Sequence, residues 1–150
     1  MALFKFLHLL AILIWVGGMF FAFVVLRPTT EKTLDTQNFR LWAAVLPLFL
    51  NWVWVAIGVT LITGFYLIYL YGGIARVSHH IHAMLALGLL MMLIHGYSFF
   101  TDYVPFSLHV AKQRWKEAEM SLKRIHKWVA VNLVLGLLIV GVVFTGITRS

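Results

Sequence analysis

Four long stretches of the chain are almost unbroken in apolar residues, and the polar positions gather between them. They run over about residues 3–26, 42–71, 80–100 and 128–147. A membrane-crossing helix needs roughly 20 predominantly apolar residues, at about 1.5 Å each through about 30 Å of hydrocarbon. The pattern therefore predicts an all-α chain, a single four-helix transmembrane bundle of up-down-up-down topology over residues 1–150. The first stretch reads as a retained span, because "MALFKF" holds only Lys5 and "VVLRPTTEK" offers no small-x-small cleavage site. Pro28 is expected to close that helix and "RPTTEKTLDTQNFR" to form a short polar connection. Pro47 predicts a kink in the second span, or the point where an interfacial turn becomes the span. Gly72 and Gly73 predict a tight turn. In the third connection Trp115, Ala118, Leu122 and Ile125 recur at helical spacing among charges, which predicts a short amphipathic segment skimming the lipid. Gly17, Gly18, Gly58 and Gly64 are expected to let the helices pack closely.

Composition agrees: 62% of the residues are hydrophobic and 11% charged, more apolar than a water-soluble domain can hide. The absence of cysteine removes disulfides, thiolate zinc sites, iron–sulfur clusters and covalently attached haem. The formal charge of +7 is concentrated beside the spans, where it favours anionic headgroups, and no nucleic-acid motif accompanies it. Arg27, Lys32 and Arg40 fall in the first connection, and Lys112, Arg114, Lys116, Lys123, Arg124 and Lys127 in the third. Lys5, Arg76 and Arg149 are left for the other side. By the positive-inside rule, loops 1 and 3 are cytoplasmic and both termini outside.

This topology sorts the seven histidines by depth. His8, His79, His80 and His82 lie toward the outer face; His95, His109 and His126 lie toward the cytoplasm. At about 100° per residue, His80, Met84, Met91 and His95 fall at about 0°, 40°, 20° and 60° on one stripe of the third span, with His82 about 140° from His95. Gly88 leans toward the stripe and would let a flat group approach the backbone. An ionisable group inside a span marks a candidate site. One face of the first span carries His8, Ala11, Ile12, Trp15 and Ala22, one ligand among small and aromatic residues. Two imidazoles from facing helices make the usual b-type haem site, with His95 and His126 as the corresponding inner pair. Each histidine also has a bland reading. His79 and His80 border a loop, His126 in "KRIHK" has cationic neighbours, His109 lies beside a polar loop, and the methionines are more often core filler than ligands.

"FLHLLAILIWVGGMFF", "HIHAMLALGLLMMLIH" and "RIHKWVAVNLVLGLLIVGV" resemble the small bacterial members of the copper-resistance D (CopD) family of integral membrane proteins. The most specific element is a histidine followed seven residues later by Trp-Val-Gly-Gly, here His8 and Trp15 to Gly18. A more distant likeness is to HemJ, a haem-associated membrane oxidase family. His82 and His95 keep that family's histidine spacing, but Met84 stands at its lysine position. Together the resemblances imply His8 and His82 as the functional pair.

Three readings follow. The first is a multi-pass bacterial inner-membrane protein holding one haem b, or two, and carrying electrons as a membrane oxidoreductase or electron carrier served by a redox partner or quinone. Its cofactor-binding candidates are His8, His82, His95, His126, Trp15 and Gly88. The second is copper handling or transport through a His/Met stripe, since thioether and imidazole suit Cu(I); the metal candidates are His8, His80, His82, His95, Met84 and Met91. The third is a non-catalytic membrane subunit in a homo-oligomer or larger complex.

Overall fold

The computed structural model describes residues 1–32 and 36–149, with side chains through Gly146. Four helices long and apolar enough to cross a membrane account for nearly all of it: α1 (Ala2–Glu31), α2 (Thr36–Leu70), α3 (His79–Ala111) and α4 (Trp115–Arg149). The protein is a multi-pass membrane protein, with Leu48, Ile62, Leu93, Phe100 and Phe144 turned outward where lipid lies. Helices α1 and α2 form one antiparallel hairpin, in which Phe4 meets Tyr66, His8 meets Thr63 and Trp42 meets Thr30. Helices α3 and α4 form the other, with His80 on Gly146, Asn132 on Met91 and Arg124 on Asp102. The hairpins join mainly where α1 lies on α4, and α2 meets α3 toward the first and third connections, with Trp54 on His95 and Phe99.

The helices outrun the apolar stretches because their polar ends keep helical hydrogen bonding. Pro28 does not close α1. A π-helical turn, Phe21–Leu26, precedes it, and the helix continues through Glu31. Proline has no N–H and crowds the carbonyl one turn back, so widening the preceding turn accommodates it without ending the helix. The same device recurs in α3, where the π turn Phe99–Tyr103 precedes Pro105. Most of the expected polar connection is thus helical; residues 33–35 lie outside the described residues, as does the Arg149 side chain. Helix α2 runs unbroken across Pro47.

The connections are short. Gly72 and Gly73 have φ of +94° and +92°, and their amides bond Tyr69 O and Ile68 O, closing α2 in a Schellman-like turn. At the end of α3, Gln113 takes the left-handed position at φ 56°, with Arg114 N bonding His109 O. The amphipathic segment expected in the third loop is helical, but it forms the first turns of α4 and does not skim the lipid. Ala118, Leu122 and Ile125 are buried against Trp42, Leu46 and Phe106. Its apolar stripe continues in phase with the span, so packing inside the bundle buries more surface than lying at the interface.

Candidate functional site

Where α2 and α3 part, at the end carrying the termini, a cavity of about 70 Å³ opens between them. Helix α1 contributes His8 and Trp15, α2 Thr60 and Gly64, α3 Met84, Gly88, Met91 and Met92, and α4 Gly136. The wall is almost wholly apolar apart from His8 and the threonine, whose hydroxyl has no partner. The small residues shape it. A Cβ on Gly64 would come within 3.1 Å of the His8 ring, so glycine lets the imidazole lie close against α2. A Cβ on Gly136 would meet Val16 at 2.9 Å and the Met91 methyl at 3.4 Å. Gly18 likewise receives Phe49, whereas Gly17 and Gly58 have open space beside them.

The His8 ring is held in one orientation. Thr63 Oγ1 has a single proton, and the 2.6 Å bond to Val59 O uses it. In the 2.8 Å contact between His8 Nδ1 and Thr63 Oγ1 the imidazole is therefore the donor. That leaves the Nε2 lone pair free, the tautomer a soft metal ion requires. Thr63 appears in no sequence motif; its signal is a hydroxyl inside the apolar run "VTLITGF".

The structure separates the other candidates. Trp15, Gly88, Met84 and Met91 share the cavity with His8; His80, His82, His95 and His126 do not line it. His82 is exposed, its Nδ1 donating to Ser78 O at 3.2 Å, and its ring neighbours His79 at 6.4 Å. His80 leans on α4, where a Gly146 Cβ would approach its ring to 2.5 Å. His95 is buried between Trp54, at 4.9 Å between centroids, and Trp15, at 6.4 Å, and lines a second cavity of about 20 Å³. His126 is buried edge-on to Trp42 at 4.6 Å and is not part of that lining. Among the described residues, no group of three or more His, Asp or Glu side chains converges for a metal ion.

These positions do not fit a haem with two axial histidines. The larger cavity presents one imidazole, and pockets for cofactor-sized ligands run roughly 300–1,000 Å³. His95 and His126 occupy separate surroundings. The lining of the larger cavity includes one imidazole and three thioether side chains, those of His8, Met84, Met91 and Met92.

At the opposite end the buried groups are polar as well as apolar. Asp102, in the α3 π turn, is 3% exposed and accepts from Arg124 Nε at 2.8 Å through Oδ1. Asp102 Oδ2, Ser121 Oγ and His126 Nε2 are buried without protein partners.

Residues 43–145 match the family model of copper resistance protein D. The match covers most of α2 and α4 and all of α3, while α1, with His8 and Trp15, lies outside it. No curated protein and no solved structure matches the chain.

Proposed function

The chain belongs to the copper resistance protein D family, and from that premise we propose that it handles copper inside the membrane, holding Cu(I) in the cavity between α2 and α3. The observation that carries this reading is the His8 ring. Thr63 accepts a hydrogen bond from its Nδ1–H, which makes Nε2 the unprotonated nitrogen, and the residue lines a cavity walled by Met84, Met91 and Met92. Imidazole and thioether are neutral, polarisable donors that suit Cu(I). Neutral donors in an apolar wall also favour a monovalent over a divalent ion, because the desolvation cost grows with the square of the charge. His8, Met84 and Met91 are the proposed ligands, and Gly64 and Thr63 position His8. The basic loops 1 and 3 favour a cytoplasmic placement of the opposite end, so the cavity faces the outer half of the bacterial inner membrane. No reaction is assigned to the site, and haem and electron transfer have no support in its geometry.

Detergent-solubilised protein titrated anaerobically with Cu(I) against a chromophoric competitor tests the reading. One Cu(I) per chain is expected, with affinity falling at least about tenfold in His8→Ala and in the Met84→Leu, Met91→Leu double variant. Unchanged affinity in both would overturn it. So would stable haem uptake by the same preparation with a bis-imidazole spectrum that His8→Ala and His82→Ala abolish, which would restore the haem reading.

A further inference from the structure

Below the copper cavity, and sharing Trp15 with it, lies the second cavity of about 20 Å³. Three of its lining residues, from three helices, carry buried polar atoms that find no partner in the protein: Trp15 Nε1 of α1, His95 Nε2 of α3 and Asn132 Oδ1 of α4. All three side chains are deeply buried, at 3%, 7% and 3% exposure. Polar groups buried in apolar surroundings are almost always hydrogen-bonded, to protein or to ordered water.

The chemistry of two of the three atoms is fixed, and His95 Nε2 accepts when its ring carries the proton on Nδ1. The indole N–H can only donate. Asn132 Nδ2 donates to Met91 O at 3.1 Å, which orients the amide and makes Oδ1 the acceptor facing elsewhere. A metal ion does not suit this set, because an indole N–H offers it no lone pair. A cavity needs about 10–15 Å³ and two to four polar partners to hold one water. We propose that this cavity is an internal water site, in which a single water accepts from Trp15 Nε1–H and donates to Asn132 Oδ1 and His95 Nε2. The water ties α1, α3 and α4 together where apolar packing alone would leave three polar atoms unsatisfied. It also holds His95 in the tautomer with its proton on Nδ1. The site stands independently of the copper reading, since none of its bonds involves His8 or a methionine sulfur.

The test is magnetisation transfer from water to indole N–H groups in ¹⁵N-labelled protein in bicelles, with the Trp15 resonance assigned from Trp15→Phe. The expected result is a cross-peak between Trp15 Nε1–H and a slowly exchanging water, reduced at least fivefold in Asn132→Leu. Trp42, whose indole N–H already bonds Thr30 Oγ1 at 3.1 Å, should show none. Should Asn132→Leu lose its helical fold, His95→Phe, which removes the other acceptor and fills the space, serves instead with the same expected loss. Absence of the Trp15 cross-peak in the unaltered protein, or its survival at full intensity in the folded variant, would overturn the proposal.

Discussion

The two ends of the bundle are built from similar residues to opposite effect. At the end bearing the first and third connections, Trp42, Leu46, Phe106, Ala118 and Ile125 are at most 1% exposed and fill the space between all four helices. At the end bearing the termini, α2 and α3 diverge, and Gly64, Gly88 and Gly136 leave a cavity that Met84, Met91 and Met92 wall without filling. The closed end buries its large side chains against small ones such as Ala118 and Ala22. At the open end Gly64 receives the His8 ring and Gly136 receives Val16 and Met91, while Gly88 has open space beside it. Stability should therefore reside in the first region and ligand recognition in the second.

The strongest way to break that contrast is a pair of substitutions. Trp42→Ala should cost about 3–5 kcal/mol of stability, whereas Met84→Leu in the cavity should cost less than about 1.5 kcal/mol while weakening Cu(I) binding. Denaturant unfolding in detergent, run beside the copper titration, reads both; similar stability losses would erase the distinction between the ends. Next, Arg124→Ala strips the protein partner from the Asp102 carboxylate. About 1–3 kcal/mol should be lost for leaving that buried group unsatisfied, and Asp102→Asn in the same background should recover part of it. At the open end, Thr63→Val removes the acceptor that orients His8. The lost hydrogen bond should cost about 1 kcal/mol of stability, and the freed imidazole, which must then be oriented on binding, should hold copper roughly fivefold more weakly. The smallest effect belongs to Gln113→Gly at the turn closing α3. Relief of the left-handed strain at φ 56°, partly offset by glycine's greater freedom when unfolded, should raise stability by about 0.5 kcal/mol.

How much of this was legible in the sequence depended on the range of the interaction. Apolar length alone located the four membrane helices, because crossing hydrocarbon is a local requirement on some 20 consecutive residues. Helix ends were less legible. Proline signals a stop in the chain, but Pro28 and Pro105 sit just beyond π turns that make room for them. The stripe His80, Met84, Met91 and His95 is sound as angular arithmetic. A helix nevertheless meets different neighbours at different depths: His80 reaches α4, the two methionines reach the cavity, and His95 reaches Trp54 and the smaller void. The implied pairing of His8 with His82 required two helices to face each other, and α3 instead turns His82 outward to bond its own first turn. Thr63, Asn132 and Asp102 were readable only as single polar residues within apolar runs. Their roles follow from the partners that the fold supplies across helices.

The most direct test of the central claim is X-ray absorption at the copper K edge on protein loaded with one Cu(I) per chain. Ligation through His8 and the cavity methionines predicts a mixed shell of one imidazole nitrogen with two sulfur scatterers, from which the nitrogen is lost in His8→Ala. A shell of nitrogen alone, unaffected by His8→Ala and abolished by replacing His79, His80 and His82, would place copper at the exposed head of α3 and contradict the account.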